Sequence, residues 1–550
     1  MPHRTWNSSR FLCCLAAAAL LFPAVHAVAD HYPRQAAVDI RHYNFTLELR
    51  DDTDALSGEA AIDLLFNAGG VRELVLDLVN RSADGKTGMT VSSVRSEAGP
   101  LSFRHENDRL HIDIDPPSVK GARRCLTVTY SGVPADGLII GKTKHAERAF
   151  FADNFPDRAR FWIPTIDHPY DKATCAFAVT APETYQVVAT GEVVETTSLA
   201  GGRRLTRYRT TVPVATYCMV VGLARFAVET IGRVGCVPVQ SWVYAAERDP
   251  GFFDFRIALK PMEFYSWKIG PFPYEKLANV QSKTRYGGME NASAVFYHEN
   301  VVTGQNRAEN LFAHEIAHQW FGDSVTEADW DHTWLSEGFA TYFTHVYEEY
   351  EKGRDMLVSG LRRDRDRVLR YHQRNPEAAL VTPASPDLRN ILSTNSYQKG
   401  GWFLHMLRRL VGDETFWKGI SEYYSRFKNG TALTDDLRAV MEEASGKNLE
   451  PFFRQWAFTP GQPEIGGDWS YADGVLTVNL RQLQGGETVF RTDIDLGFVP
   501  EAGAAPNVET VRMEGREETF SFKLEKEPAD VVLDPNVWLL WKPGPFGRAK

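Results

Sequence analysis

The sequence predicts a multidomain protein in which a large β-sandwich is followed by a helix-rich domain and a small β-sandwich. Three observations support this fold class. Apolar residues recur at every second position from about residue 38 to 230, at helical spacing from Phe252 to Phe458, and again at every second position after Pro463. A period of two is typical of strands with one buried face, and a period near 3.6 is typical of amphipathic helices.

Length and charge limit the classes of protein to which the chain can belong. Its 550 residues, 43% of them hydrophobic, are enough for about three domains with cores of their own. The net charge of −10 has the wrong sign for neutralising nucleic-acid phosphates, so we exclude nucleic acid as a partner. No 18-residue apolar run follows the N-terminal region, which excludes a polytopic membrane protein.

Residues 1–29 have the pattern of a secretory signal peptide. Arg4 and Arg10 precede the twelve-residue apolar run Phe11–Phe22, and Ala27-Val28-Ala29 matches a small-x-small cleavage site. The apolar run is short for a membrane-spanning helix, so an uncleaved N-terminal anchor is the less favoured alternative. We therefore expect a periplasmic or secreted protein without stable membrane insertion after signal cleavage.

The cysteines that follow the signal peptide allow two interpretations. None has the spacing of a metal site, and the expected compartment permits disulfides. Cys175 alternates with apolar residues in KATCAFAVTA, as an inward-facing strand residue does, so a buried thiol and a disulfide are equally good interpretations. The pairing is open for all four residues, Cys125, Cys175, Cys218 and Cys236.

Residues 30–230 are assigned to the N-terminal domain. Period-two runs such as those around Phe45 and Ile112 are separated by Gly, Pro and Asp clusters such as ADGKTG. Short strands between turn residues, without helical segments between them, favour an antiparallel sandwich over βαβ units.

Residues 231–460 are assigned to the middle domain, in which six segments have helical spacing. TPGQP, which ends at Pro463, breaks the last helical pattern, and period-two runs return after it. Residues 461–550 are therefore assigned to the small C-terminal sandwich. The six predicted helices are Asn306–Phe321, His332–Glu351, Asp355–Tyr371, Tyr397–Val411, Glu414–Phe427 and Thr434–Ser445.

The segment His314-Glu-Ile-Ala-His318 lies within the first of these helices. Residues four apart are separated by about 40° around the helix axis and by one turn along it, so both imidazoles can bind one cation. Glu315 is turned by about 100° from His314, where its carboxylate can flank the cation as a general base without binding it.

Glu337 supplies the third ligand in this interpretation. It follows His318 after eighteen residues, on the next predicted helix, whose aromatic residues can pack it against the first helix. Two His and one Glu form a ligand set of catalytic zinc, which keeps a fourth position for water. We predict one Zn²⁺ per chain, bound by His314, His318 and Glu337, and amide hydrolysis as the reaction.

Tyr397 in NSYQKGG is the candidate oxyanion donor. A phenol near a cation can donate a strong hydrogen bond to the oxyanion that forms during amide hydrolysis. From spacing alone, a packing or capping role at the start of a helix is the alternative.

Together these motifs resemble the zinc aminopeptidases of the aminopeptidase N type, a group of gluzincins that includes the leukotriene-A hydrolases. Gly287-Gly-Met-Glu-Asn291 corresponds to the GxMEN motif of that family, HEIAH and Glu337 to its HExxH-x18-E metal site, and Tyr397-Gln-Lys-Gly to its Tyr-x-Lys-Gly motif. The resemblance covers residues 40 to 460. It implies a saddle-like N-terminal sandwich, a thermolysin-like α/β catalytic domain and a tyrosine that stabilises the transition state.

The resemblance also implies substrate-binding residues. Glu290 would bind the free α-ammonium of a peptide, which restricts the substrates to peptides with a free N-terminus. Gly287 and Gly288 would let the backbone approach an extended peptide as an edge strand. Met289 and Asn291 belong to the same motif and are assigned to substrate binding with it.

Three features depart from the family pattern. Asp153 and Phe155 stand where the family commonly has Gln-x-Glu or Gln-x-Gln. Asp153 is therefore predicted as a second carboxylate for the amine and Phe155 as a pocket wall, and a shift of one residue in this correspondence would reverse the two roles. Ser336 replaces the usual Asn beside Glu337. The helical domain that usually caps the active site is expected to be absent, which would leave the site open or covered by a second subunit of an oligomer.

Three functions are compatible with these motifs. The leading hypothesis is a zinc aminopeptidase that uses metal-activated water and Glu315 as the general base. Epoxide hydrolysis, as in the leukotriene-A hydrolase branch, is the first alternative, and a non-catalytic protein that binds peptide ends is the second. Glu315 and Tyr397 argue against the second alternative, because binding alone requires neither residue.

Overall fold

The computed structural model describes residues 30–383 and 387–549. The predicted signal peptide, residues 1–29, lies outside the described residues. Among the residues that are described, no helix combines the length and the apolar character needed to cross a bilayer.

The N-terminal domain is built from strands alone, apart from short 3₁₀ turns, and these strands form three sheets. The sheet orders are β13-β14-β11-β1-β2-β8-β4-β5, β12-β15-β10-β9 and β3-β7-β6. The strands are β1 Val38–Glu48, β2 Leu56–Phe66, β3 Glu73–Asp77, β4 Gly88–Ser96, β5 Gly99–Pro100, β6 Phe103–Glu106, β7 Arg109–Asp113, β8 Arg123–Val133, β9 Leu138–Lys142, β10 Arg148–Ala152, β11 Thr174–Pro182, β12 Gln186–Ala189, β13 Glu192–Leu199, β14 Arg203–Arg209 and β15 Val221–Ala224.

The alternation of apolar residues predicted these strands correctly, but the predicted antiparallel pairing is wrong at one position. On β1, Tyr43, Phe45 and Leu47 are all buried in the domain core. β1 nevertheless runs parallel to β11, with Tyr43 opposite Cys175. These two strands are far apart in sequence, so no hairpin turn fixes their relative direction.

The middle domain contains a five-stranded mixed sheet of order β16-β17-β18-β20-β19. The predicted domain boundary at residues 230–231 falls inside its first strand, which pairs with β17. A further pair of short strands, β21 and β22, joins two loops in parallel. The strands are β16 Phe226–Val234, β17 Val237–Tyr244, β18 Leu277–Ser282, β19 Gly288–Met289, β20 Ala294–His298, β21 Val325–Glu327 and β22 Gly430–Ala432.

The five-stranded sheet is buried on both faces. On β18, Ala278 and Val280 pack toward the core of the N-terminal domain. Leu277 of the same strand and Val295 of β20 pack toward the helices. A sheet with two buried faces lacks the apolar–polar alternation of a half-buried sheet, and β18 also contains the buried polar residues Asn279, Gln281 and Ser282. The periodicity therefore did not reveal β18 and β20.

The helices confirm the six helical segments expected from the sequence, with ends displaced by a few residues. Three shorter helices, α1, α2 and α9, were not predicted. Tyr397, which was placed at the start of a helix, lies in a π-helical turn, Asn395–Lys399, that leads into α6. The helices are α1 Arg248–Phe255, α2 Leu259–Lys268, α3 Glu309–His318, α4 Trp334–Lys352, α5 Arg354–Arg374, α6 Gly400–Val411, α7 Asp413–Phe427, α8 Thr434–Ser445 and α9 Glu450–Phe453.

The segment after the helices forms two further sheets, of order β27-β24-β23-β29 and β26-β25-β28. Their buried residues, such as Ile465 and Leu496, belong to the same apolar cluster as the helices of the middle domain. This part of the chain is therefore packed against the middle domain. Its strands are β23 Glu464–Ala472, β24 Val475–Gln482, β25 Thr492–Val499, β26 Asn507–Met513, β27 Glu517–Lys523, β28 Asp530–Leu533 and β29 Lys542–Arg548.

The four cysteines of the described chain are free thiols. Cys175 and Cys218 are buried, Cys125 is half-buried and Cys236 is exposed. The structure therefore favours the thiol interpretation of Cys175 over a disulfide.

A buried ion pair joins α4 to α5. His345 lies 2.7 Å from Asp364 (Nε2 to Oδ2) and 3.5 Å from Glu348 (Nδ1 to Oε2). Burial by itself lowers the pKa of His345, but these two carboxylates raise it to about 8, above the ordinary value of 6.5.

We expect this ion pair to stabilise the protein fully below about pH 6.5 and to be lost as the pH rises through about 8, a change of about 2 kcal/mol in the free energy of unfolding. The measurement is urea unfolding of the wild type and of His345→Gln at pH 6 and pH 9. The difference between the two proteins should be large at pH 6 and small at pH 9. His31→Gln, at an exposed site, is the control, and an equal difference at both pH values would contradict the assignment.

Candidate metal centre

The three predicted ligands meet between α3 and α4. The Nε2 atoms of His314 and His318 are 3.2 Å apart. Oε2 of Glu337 lies 3.2 Å from the first nitrogen and 3.3 Å from the second. Three atoms with lone pairs thus surround one point, which is the arrangement expected of a metal site.

Close packing brings α4 to this position. Phe321, just after α3, lies against Phe339 of α4 with ring centroids 4.4 Å apart. On its other side α4 approaches α6, where a Cβ added to Gly338 would lie 2.8 Å from Cα of Gly400. Only glycine allows the two backbones to come so close, and Glu337 is the neighbour of this contact.

The Nδ1 atom of His318, on the side of the ring away from the other ligands, contacts two oxygen atoms. This nitrogen lies 3.0 Å from Oγ of Ser336 and 3.2 Å from the carbonyl oxygen of Phe321. A proton on Nδ1 that is donated to the carbonyl leaves the lone pair of Nε2 free for a metal. Ser336, the departure from the family's usual Asn, therefore still contacts a ligand.

Tyr397 reaches the centre from the π-helical turn before α6. Its hydroxyl donates a hydrogen bond of 2.7 Å to Oε1 of Glu337, the oxygen that faces away from the histidines. Its ring is nearly parallel to that of His314, at an angle of 15° and a centroid distance of 5.9 Å. The phenol group is therefore fixed at the edge of the centre.

The GGMEN segment forms the opposite wall. β19, Gly288–Met289, is the edge strand of its sheet and pairs antiparallel with β20 only. A Cβ added to Gly288 would lie 2.6 Å from Cγ of Glu315, so glycine is required for the strand to pass the proposed base. Met289 and Asn291 are both buried.

Glu290 follows directly after this strand and is buried beside the histidines. One oxygen each from Glu290 and Glu315 and one nitrogen of His318 all lie within 4.8 Å of one another. The backbone carbonyl of Glu290 accepts a 2.6 Å hydrogen bond from Nε2 of Gln319, which fixes the position of the segment relative to α3.

Asp153 lies close enough to the site to raise the pKa of Glu290, but it does not line the cavity between β19 and α3. Its Oδ1 lies 3.1 Å from Nη2 of Arg158, and its Oδ2 accepts a hydrogen bond of 3.2 Å from the backbone N–H of Arg285. The carboxylate is thus already paired with a cation. Its role in binding the amine stays a prediction, and this ion pair argues against it, whereas Phe155 lines the cavity as expected.

A cavity of about 290 Å³ lies between β19 and α3. The predicted metal ligands, the base and the Glu290 carboxylate all face it, and its remaining walls are apolar or aromatic. Its lining residues are Phe155, Tyr286, Gly287, Gly288, Met289, Glu290, Leu311, His314, Glu315, His318, Glu337, Leu392 and Tyr397.

The electrostatics of the centre favour a bound cation. Burial raises the pKa of Glu290 to about 7, and it raises the pKa of Glu315 and of Asp323 well above the ordinary range. Burial alone would also raise the pKa of Glu337, but His318 and His314 beside it lower it. Several acidic groups thus share one low-dielectric region, and a divalent ion would stabilise their charged forms. The donor set therefore fits a metal ion.

Comparison with known proteins places this geometry in a family. Residues 40–218 match the Peptidase M1 N-terminal domain, and residues 253–456 match the Peptidase family M1 domain. The two matches have the order found in the structure, and the second contains the whole metal centre.

The chain belongs to peptidase family M1. It is 26% identical over 492 residues to probable aminopeptidase 2 of Sulfurisphaera tokodaii, which covers 84% of this chain and 59% of that protein. It is 25% identical over 451 residues to leucyl aminopeptidase of Saccharolobus solfataricus, covering 78% and 54%. Tricorn protease-interacting factor F2 of Thermoplasma acidophilum is 27% identical over 423 residues, covering 72% and 51%. The chain spans about half the length of these relatives.

Sequence reasoning did not identify two buried residues that support the centre of this family M1 chain. Gln319 follows His318 directly, donates to Glu290 and to Oδ2 of Asp323 at 2.7 Å, and accepts from the backbone of Ser293. Asp323 also accepts a hydrogen bond from Sγ of Cys218, at 3.2 Å. Only their closeness to HEIAH could have drawn attention to them.

We expect the purified protein, dialysed against zinc and then against buffer, to retain about one metal ion per chain. His318→Ala should lose most of this metal, because one of three ligands is removed. His372→Ala, at a half-buried histidine of α5, is the matched control and should keep it. Metal content is measured by atomic emission, and equal metal in both variants would contradict the ligand set.

Proposed function

We propose that this protein is a zinc-dependent aminopeptidase that removes the N-terminal residue from peptides. One observation carries the proposal: three ligand atoms converge within 3.3 Å of one another, next to the separate carboxylates of Glu315 and Glu290 in the same cavity. The proposed metal site, the proposed base and the proposed cation-binding carboxylate are thus close enough for one substrate residue to contact all three.

His314, His318 and Glu337 would hold the zinc ion. When bound, zinc supplies a Lewis acid that polarises a carbonyl group and makes water more acidic. Glu315 is on the same helix as the histidines but outside the ligand set, and it faces the cavity. It takes the proton from the attacking water and passes it to the leaving amine.

Tyr397 would stabilise the negative charge that develops on the carbonyl oxygen. Its hydroxyl already donates to Oε1 of Glu337, the carboxylate oxygen that faces away from the histidines, and a small rotation of the phenol group would direct the proton toward substrate. A donor that is held in place before reaction needs no reorganisation during it, which is the source of its catalytic effect.

Glu290 would bind the α-ammonium of the substrate. One of its carboxylate oxygens lies within 4.8 Å of a ring nitrogen of His318, a separation comparable to the 3.8 Å between consecutive Cα atoms. The amine and the first peptide bond of a substrate can therefore occupy the anchor and the metal at the same time. The free side of β19 can pair with the peptide backbone behind them.

The substrate class and the cellular location follow the same reasoning. The relatives that are named aminopeptidases support peptides as substrates, and the apolar cavity walls at Phe155 and Leu392 suit an uncharged first side chain. The pattern of residues 1–29 supports export to the periplasm or the outside of the cell.

The first prediction concerns the free amine. We expect cleavage of a free aminoacyl-amide and no cleavage of its N-acetylated form, because acetylation removes the charge that Glu290 binds. Glu290→Gln should raise KM for the free substrate, and Glu443→Gln, at an exposed site, should leave it unchanged. Release of the amide product is followed by fluorescence. Equal cleavage of both substrates would contradict the anchor, and full activity with chelator or in Glu315→Gln would contradict the mechanism.

The second prediction concerns Tyr397. Tyr397→Phe should keep its metal and lower kcat by about 10²–10³-fold, or about 2.7–4 kcal/mol, which is typical of the loss of one oxyanion donor. Tyr350→Phe, at an exposed tyrosine of α4, is the matched control and should have the activity of the wild type. Loss of metal from Tyr397→Phe would instead assign Tyr397 to the support of Glu337.

A further inference from the structure

The first residues after the predicted signal peptide are held against the catalytic domain. The carboxylate of Asp30 lies 2.6 Å from Nε2 of His168 and accepts a 3.2 Å hydrogen bond from the backbone N–H of Trp330. The ring of Tyr32 stacks on His168 at a centroid distance of 4.6 Å, and its hydroxyl donates to Asp77. A segment with so many directed contacts is part of the folded structure rather than a tail.

The backbone nitrogen of Asp30 contacts the carboxylate of Asp329. It lies 3.1 Å from both carboxylate oxygens of Asp329. A peptide amide has one hydrogen and no charge, so it has to share that hydrogen between the two oxygens in a bifurcated bond. An α-ammonium has three hydrogens and a positive charge, and it suits both oxygens.

The charges around this contact also favour an ammonium group. The side chains of Asp30 and Asp329 are 4% and 5% exposed, so two carboxylates are buried near each other. Arg34 supplies one cation, at 3.0 Å from Asp329, and His168 supplies another only when it is protonated. One further positive charge at the nitrogen of Asp30 would balance the pair, since buried charges are stable only when they are paired.

We infer that the bond between Ala29 and Asp30 is a processing site, and that the α-ammonium released on Asp30 forms a buried ion pair with Asp329. A signal peptidase would hydrolyse this bond with one water molecule. The C–N bond breaks, the oxygen of water completes the carboxylate of Ala29, and both protons of that water go to the nitrogen of Asp30, which becomes an α-ammonium. Ala27-Val28-Ala29 is the small-x-small pattern that such an enzyme recognises.

The ion pair lies close to the start of the helix that carries Glu337. Asp329 accepts a 3.1 Å hydrogen bond from the backbone N–H of Asp331, at the start of the 3₁₀ turn Trp330–His332. α4 begins two residues later, at Trp334. Processing would therefore stabilise the loop that precedes α4. The loop would gain this ion pair only in a chain whose signal peptide has been removed during export.

The first test is the N-terminus itself. The full-length chain is produced with export, purified from the periplasm or the medium, and analysed by intact mass and N-terminal sequencing. Asp30 should be the first residue. Any other first residue would overturn the inference.

The second test compares two proteins that differ by one native residue. One begins at Asp30 and the other at Ala29, each released from a fusion partner by a protease that leaves no extra residue. The extra residue moves the amine by about 3.8 Å along the chain and replaces it with an amide. The protein that begins at Asp30 should have an apparent melting temperature higher by a few degrees. Equal melting temperatures would overturn the ion pair.

Asp329→Asn in both proteins completes a double-mutant cycle and should remove the difference between them. Persistence of the full difference would overturn the role of Asp329. If the variant does not fold, the ion pair is tested by the pH dependence of the difference in melting temperature between the two unmutated proteins. The α-ammonium has an ordinary pKa near 7.7–8.0, which the carboxylate raises, so the difference should be complete below about pH 7.5 and vanish at high pH. A difference that persists at pH 10.5 would contradict the ion pair. None of these measurements depends on peptidase activity.

Discussion

The position of one carboxylate, that of Glu337, is the constraint on which the rest of the site depends. The two histidines are fixed relative to each other by a single helix, but the third ligand comes from another helix and has to arrive within 3.3 Å of both. The Gly338–Gly400 contact, the Phe321–Phe339 packing and the hydrogen bond from Tyr397 all act on this residue or on the two residues that follow it. Side chains on two helices keep fixed distances from one another only if the packing between the helices is rigid.

The N-terminal domain helps to fix the positions of the site residues from the other side of the cavity. The five-stranded sheet is buried between that domain and the helices, and its edge strand β19 forms one wall of the cavity. Lys172 joins the two halves: its ammonium donates to the backbone oxygens of Asp323, Ser324 and Gly430, at 2.8 to 3.1 Å. An ammonium group that makes several hydrogen bonds in a buried position fixes the loop after α3 firmly.

The N-terminal segment, residues 30–34, also contacts both domains. Asp30 and Tyr32 contact His168 of the N-terminal domain, while the nitrogen of Asp30 and the guanidinium of Arg34 contact Asp329 of the catalytic domain. The segment therefore bridges the two domains beside the loop that leads to α4. Removing one partner of a buried charge pair at such a junction is costly, because the other charge is left buried and uncompensated.

The sequence by itself determined the features that depend on local spacing. Two histidines four residues apart on a helix must share a face, and six helices were predicted because each has an amphipathic period. Tertiary structure decided the features that depend on distances between separate segments. It paired Asp153 with Arg158 instead of placing it in the cavity, made β1 and β11 parallel, and recruited Gln319 and Asp323 to support the centre. The physical reason is that the 3.6-residue period fixes geometry within one helix, whereas contacts across the fold depend on how all the side chains pack together.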